Sequence, residues 1–143
     1  MSTSERKGAC LCGAVRFTAT IKDRVTACHC GMCRRWSGGV FLTVSTEGIS
    51  WEGESLISTY TSSPWAERGF CRTCGTNLFY RVTAPGKLHG MTALMFGAID
   101  DAEGLEIATE LFIDRKPATY ALVGQADHKC LTESEVLALF GEG

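Results

Sequence analysis

Three cysteines stand within six residues, in the segment Cys28-His29-Cys30-Gly31-Met32-Cys33. Thiols at this density indicate a metal site or redox chemistry. Side chains alternate faces in an extended segment, so Cys28 and Cys30 point the same way, and Gly31 favours the tight turn that brings Cys33 to the same ion. Three thiolates leave one position of a tetrahedral zinc open, as in catalytic sites. We therefore predict that water, a substrate thiolate or the oxygen of a carbonyl adduct binds here.

Four more cysteines form two pairs, Cys10-x-Cys12-Gly13 and Cys71-x-x-Cys74-Gly75. Together they supply the four ligands that a structural zinc normally has. A zinc ion held in this way would contribute directly to the free energy of folding, because the unfolded chain has no preformed site. The alternative is that these four are free thiols in a core.

The composition indicates one domain spanning residues 1–143, with 45% hydrophobic residues to build its core. Basic and acidic residues nearly balance, 14 against 16, so we expect no nucleic-acid partner and no membrane surface as partner. We see neither a signal peptide nor a long apolar run, and we expect a cytoplasmic protein. Eight cysteines in that setting indicate metal ligands, although a secreted four-disulfide domain is the alternative.

The residues around the three-cysteine segment suggest how a substrate would be bound. His29 should face away from its neighbouring cysteines, as a general acid or base, a group that orients a ligand, or a structural hydrogen-bonding partner. Arg34 and Arg35 are candidates for binding the carboxylates of a substrate, or else form a solvated pair. Alternatively, the three-cysteine site is a second structural site that a nearby residue completes as fourth ligand. The candidates for that ligand are His29, His89, His128 and Cys130. His128 and Cys130 resemble half of a metal site, without a partner pair in the sequence.

The remaining pattern predicts the elements that position these residues. Residues 14–20 alternate as a half-buried strand, after polar residues 1–7 that we expect to be loose. The segment 31–36 predicts a helical turn ended by two glycines, and Thr132-Glu133-Ser134-Glu135 has the spacing of a capping box before a short C-terminal helix. Further strands are predicted at 40–44, 49–51, 56–60, 78–82, 91–99 and 107–113, with a turn at 47–48 and a hairpin loop at 100–104. Many short strands predict a mainly β fold of antiparallel sheets.

The cysteine blocks resemble the glutathione-dependent formaldehyde-activating enzyme family, which includes centromere protein V. The matching blocks are Lys7-Gly-Ala-Cys-Leu-Cys-Gly13, Cys28-His-Cys-Gly-Met-Cys-Arg34 and Phe70-Cys-Arg-Thr-Cys-Gly-Thr-Asn-Leu78, with weaker matches at Ser37-Gly38 and at 111–117. The resemblance places the family core at about residues 7–120. It implies a zinc-stabilised β-tent with two zinc ions, a structural one on Cys10, Cys12, Cys71 and Cys74 and a second on Cys28, Cys30 and Cys33.

The same resemblance implies a carbon–sulfur lyase that joins glutathione and formaldehyde reversibly into S-hydroxymethylglutathione. Two features depart from the family, since many relatives carry a histidine where Glu110 stands and a tryptophan where this chain has Ala118, Thr119 and Tyr120. The predicted function is therefore a zinc-dependent lyase acting on a thiol–aldehyde adduct. The alternatives are a non-catalytic zinc-stabilised binding domain and a redox-responsive or metal-responsive protein. The sequence leaves the oligomeric state open.

Overall fold

The computed structural model describes residues 2–140, and the side chains of residues 2–139. Within that range it contains ten strands and two helices, which confirms the mainly β prediction and the short C-terminal helix. The elements are β1 Thr3–Ala9, β2 Arg16–Lys22, β3 Arg24–Cys28, α1 Gly31–Ser37, β4 Phe41–Glu52, β5 Ile57–Ser63, β6 Ala66–Cys71, β7 Asn77–Val82, β8 Thr92–Met95, β9 Glu106–Leu111, β10 Lys129–Leu131 and α2 Glu133–Phe140. Single 3₁₀ turns occur at Glu54–Leu56, Phe96–Ala98 and Ile113–Arg115. Neither helix has the length and apolar character that spanning a bilayer requires.

The chain groups into two compact units. The first unit contains the residues up to Asp23 together with Thr43–Gly104, and the second contains Arg24–Leu42 together with the residues from Leu105 onward. The four cysteines of the two pairs lie in the first unit, and the three-cysteine segment lies in the second. That the chain is one functional domain stays a prediction.

Strands of the first unit pair antiparallel throughout. β2 pairs with β1 and β4, β8 pairs with β4 and β7, and β6 pairs with β5 and β7. Along β2, Phe17, Ala19 and Ile21 are buried, whereas Arg16 and Thr20 are exposed. The alternation predicted for this strand is therefore confirmed, and one apolar face of β2 contributes to the core.

Phe79 occupies the centre of the first unit's core and is 1% exposed. Its ring centroid lies 5.8 Å from that of Trp51, which in turn lies 5.5 Å from that of Phe17. Gly69 on β6 makes room for the Phe79 ring, because a Cβ atom at this position would lie 2.3 Å from it. Glycine is required here by close approach to an aromatic ring.

Two local predictions in the first unit are wrong. The polar N-terminus is not loose: β1 pairs with β2 over its whole length, and Ser2 and Ser4 donate hydrogen bonds to the Asp23 carboxylate. The expected turn at residues 47–48 is absent, since β4 continues from Phe41 to Glu52. The register with β2 shifts here: Gly48 stays paired with Thr20, and Glu47 is the extra residue of a bulge rather than part of a turn.

In the second unit, β9 pairs parallel with β3 on one side and with β10 on the other. These two parallel pairs are the exception to the mainly antiparallel arrangement that the sequence predicts. The predicted hairpin across residues 100–104 is also wrong, because β8 pairs with β4 and β7 whereas β9 pairs with β3 and β10. Periodicity identifies a strand without identifying its partner, and pairing to a distant segment decided the topology.

α1 begins and ends as the sequence predicts, and α2 begins at the predicted capping box. The Cys30 thiol caps α1 by accepting a hydrogen bond from the Cys33 amide at 3.3 Å, and Gly38 ends the helix with φ of 79°. At α2 the Thr132 hydroxyl accepts from the Glu135 amide, and the Glu135 carboxylate accepts from the Thr132 amide at 2.9 Å. This reciprocal pair is a capping box.

Candidate metal centres and active site

The first unit brings Cys10, Cys12, Cys71 and Cys74 together, with their sulfur atoms all within 4.8 Å of one another. The Cys12 sulfur lies 3.6 Å from that of Cys10 and 3.9 Å from that of Cys71. A zinc ion bonded to two sulfurs at 2.3 Å and the tetrahedral angle holds them about 3.8 Å apart. The spacing of this cluster therefore fits a four-thiolate zinc ion.

Turns and one threonine hold the two cysteine pairs of this cluster in position. The Gly13 amide donates to the Cys10 carbonyl, and the Gly75 amide donates to the Cys71 carbonyl at 2.7 Å. Thr76 joins the two pairs, because its hydroxyl accepts from the Leu11 amide at 2.9 Å and lies 3.2 Å from the Cys74 sulfur. Hydrogen bonds from the side chain and backbone of Thr76 lower the pKa of Cys74 to about 5. Thr76 thus favours the thiolate form of Cys74, which is the form that binds a metal.

The second unit brings Cys28, Cys30 and Cys33 together within the same 4.8 Å limit. Cys28 ends β3, Cys30 caps α1, and Cys33 lies in its first turn, so the strand-to-helix junction creates the cluster. Cys28 and Cys33 are buried, and Cys30 is half-buried. No fourth protein donor belongs to this group in the described part of the chain. The three thiols therefore form an open set.

The chemistry of these three donors also fits a cation. The thiols of Cys30 and Cys33, together with burial, raise the pKa of Cys28. Three adjacent, largely buried thiolates repel one another unless a positive charge compensates them. The eight cysteines, which all lie in the described residues, form no disulfide. Zinc is thus a chemically suitable occupant of both cysteine clusters.

His29 is fully buried and points away from the thiols to a carboxylate. Its Nε2 atom donates to Glu110 Oε1 at 2.7 Å, and His128 Nε2 donates to Glu110 Oε2 at 2.6 Å. Burial acts to raise the pKa of Glu110, but the hydrogen bonds from His128 and His29 outweigh it, so the pKa lies below its ordinary value. The Glu110 bond in turn raises the pKa of His128. An ionised carboxylate between two histidines therefore adjoins the three-cysteine segment.

Several predicted residues lie outside both cysteine clusters. His29, His128 and Cys130 do not join the three thiols, and Cys130 is instead near Glu110, with its sulfur 3.9 Å from Oε2. His89 is exposed, and its Nδ1 donates to the Thr83 carbonyl at 3.0 Å. Sequence reasoning noted Glu110 only as a departure from the family. The signal that could have found its partners is the spacing of His128 and Cys130, two residues apart.

A cavity of about 400 Å³ lies along α1, directly after the three-cysteine segment. Arg34 and Arg35 contribute to its wall, together with Pro117 and Tyr120. Arg34 Nε donates to the His29 carbonyl at 3.1 Å, which fixes this side chain against the loop. The Tyr120 hydroxyl is buried and has no hydrogen-bond partner among the described residues. The cavity is thus lined by two cationic side chains and by Tyr120.

Comparison with known proteins first defines the fold. A crystal structure of a Rhodobacter sphaeroides protein superposes with a TM-score of 0.54 over 66% of this chain and 87% of that chain. The two sequences are 22% identical, so the likeness is one of fold.

Sequence comparison then identifies the family. The chain is 34% identical over 118 residues to an uncharacterized lyase of Schizosaccharomyces pombe, covering 81% of this chain and 84% of that relative. The family model described as "Glutathione-dependent formaldehyde-activating enzyme" matches residues 5–115. The chain belongs to this family, as the cysteine blocks predicted. The family and the lyase-named relative together support an enzyme of the lyase type.

Proposed function

We propose that this protein is a zinc-dependent carbon–sulfur lyase that makes or breaks a thiol–aldehyde adduct, with S-hydroxymethylglutathione as the candidate substrate. Two zinc ions per chain would serve it, a structural one on the four-cysteine cluster and a reactive one on the three-cysteine cluster. The observation that carries the proposal is an open set of three thiols at the start of a helix whose next residues line a cavity.

The reaction has a simple balance. In the forward direction the thiol sulfur bonds to the aldehyde carbon, and the thiol proton ends on the former carbonyl oxygen. The reverse reaction breaks the carbon–sulfur bond and returns the proton. Zinc, when bound, favours the thiolate form of a substrate sulfur and polarises a carbonyl. Both effects require a free coordination position on the zinc, which an open site has and a closed site lacks.

The chain's own residues supply binding and orientation. A glutathione-like substrate carries two carboxylates, which guanidinium groups bind through paired hydrogen bonds. Arg34 and Arg35 line the cavity beside the reactive cluster, so they would hold such a substrate with its sulfur toward the thiols. Tyr120 lines the same cavity and would contact the substrate. Glu110 holds His29 through the hydrogen bond at 2.7 Å and thereby orients the backbone between Cys28 and Cys30.

The test compares the Cys30→Ser variant with the Met32→Ala variant. Met32 is exposed in the same helix and belongs to neither cysteine cluster, so it is a matched control. Zinc per chain, far-ultraviolet circular dichroism and turnover of S-hydroxymethylglutathione are measured for each protein. We expect Cys30→Ser to lose one zinc and all measurable turnover while it stays folded, and Met32→Ala to keep both.

Two outcomes contradict the proposal. A Cys30→Ser variant that has lost the second zinc but keeps wild-type turnover would remove the open site from the mechanism. A fully zinc-loaded wild type that turns over no thiol–aldehyde pair would favour the alternative of a zinc-stabilised binding domain.

A further inference from the structure

A third group of metal-binding side chains lies outside both cysteine clusters. It consists of Glu110 on β9, His128 just before β10, and Cys130 on β10, and one donor atom of each lies within 4.8 Å of the others. Cys130 stands directly opposite Glu110 in the parallel pairing of β10 with β9. Paired residues of neighbouring strands present their side chains on the same face, so the strand pairing itself creates the group.

Hydrogen bonds orient His128 so that its Nε2 atom faces the other two donors. Its Nδ1 lies 3.1 Å from the Gln125 carbonyl, which can only accept, so Nδ1 carries a hydrogen. A neutral His128 then presents the lone pair of Nε2 to Glu110 Oε2, which is 2.6 Å away and also an acceptor. At this distance the two atoms share a proton. A metal ion at this group would have to take the place of that proton.

A second hydrogen bond holds the Glu110 carboxylate, at its other oxygen. The buried His29 donates from Nε2 to Oε1 at 2.7 Å, which leaves Oε2 directed at His128 and Cys130. Glu110 itself is only 4% exposed. Metal ligands are typically oriented by such outer hydrogen bonds, both at the carboxylate and at the second nitrogen of the histidine.

We infer that Glu110, His128 and Cys130 form a third metal site, which takes a zinc-like divalent cation. Imidazole nitrogen, carboxylate oxygen and thiolate sulfur are the three donor types that zinc binds, whereas magnesium and calcium prefer oxygen alone. Cys130 is exposed, so the fourth position opens to solvent. Binding releases the thiol proton of Cys130 and the proton between His128 and Glu110 to solvent. The site is separate from the proposed reaction and does not depend on it.

The test measures zinc per chain after dialysis of the full-length protein against a series of buffers of fixed free Zn²⁺. The wild type is compared with Cys130→Ser and His128→Gln, and with His89→Gln as the matched control. His89 also donates from Nδ1 to a backbone carbonyl, but it belongs to no metal-binding group among the described residues. We expect the wild type and His89→Gln to hold one more zinc per chain than the other two. Loss of a ligand should weaken the site at least about tenfold.

Cobalt provides a second measurement, made on the wild type and on Cys130→Ser. Once the cysteine clusters are filled with zinc, added Co²⁺ should produce thiolate-to-cobalt absorption that Cys130→Ser lacks. The inference is overturned if zinc content is the same in all four proteins, or if only one of Cys130→Ser and His128→Gln loses the extra ion. It is equally overturned if Co²⁺ gives the wild type no thiolate absorption.

Discussion

Replacing Glu110 with glutamine would test whether the carboxylate between two histidines stabilises the second unit. The side chain is 6% exposed and accepts two hydrogen bonds, from His29 Nε2 and His128 Nε2. Glutamine keeps the shape but loses the charge, and one of its two terminal atoms becomes a donor. His29 can adjust to that donor by changing tautomer, since its Nδ1 has no partner among the described residues, whereas His128 is held by the Gln125 carbonyl.

The expected cost follows from the two hydrogen bonds. Hydrogen bonds to charged groups contribute about 1.5–3 kcal/mol, and neutral ones about 0.5–1.5 kcal/mol. Loss of the charge at two bonds should therefore reduce the free energy of unfolding by about 2 kcal/mol in Glu110→Gln. Glu110→Ala leaves both histidine donors without an acceptor, and we expect it to cost about 3–5 kcal/mol.

The assay is equilibrium urea unfolding. Free Zn²⁺ is kept at a concentration where the wild type and Cys130→Ser hold equal zinc, so that the group of Glu110, His128 and Cys130 holds no ion during the measurement. Glu106→Gln is the matched control, because Glu106 lies on the same strand and is exposed. A double-mutant cycle with His128→Gln should return a coupling energy of about 1 kcal/mol, within the range found for contacting residues. The reasoning is refuted if Glu110→Gln unfolds within about 0.5 kcal/mol of the wild type, as an ordinary surface substitution does.

Three further predictions concern packing, pH and metal. Gly69→Ala should cost about 1–3 kcal/mol in urea unfolding, because its Cβ would collide with Phe79, whereas Gly48→Ala, which has no atom within 4 Å of its new Cβ, should be near neutral. Hydrogen bonds from Thr132 lower the pKa of Glu135, so its cap on α2 is present above the unfolded pKa of about 4.3 and is lost as pH falls through the lower folded value. Helix content should fall over that acid range in the wild type and show a smaller change in Glu135→Gln; identical profiles would contradict this assignment. Mild chelation should remove zinc from the open three-cysteine cluster before it removes zinc from the closed four-cysteine cluster. Loss of the circular dichroism signal should accompany only the release from the four-cysteine cluster. Simultaneous release from both clusters would show that the two sites do not differ.

The two cysteine clusters could be predicted because their ligands are grouped by short-range spacing. Within Cys28–Cys33 the turn itself brings the sulfurs together. The residues from Gly31 onward predicted α1 and the glycine that ends it. The capping box at Thr132 is equally local. The four-cysteine cluster required one long-range inference, namely that two pairs of the same kind share an ion.

The sequence by itself thus determined the three-cysteine group, the two cysteine pairs, the mainly β class and the starts of the helices, since each depends on residues close together in the chain. Only the tertiary structure decided that β9 pairs parallel with β3 and β10, which places Glu110 between His29 and His128. These residues are 81 and 18 positions from Glu110, and no periodicity encodes a partner at such a separation. Strand pairing is chosen by the packing of whole faces. The carboxylate and the third group of metal-binding side chains therefore became visible only in the folded chain.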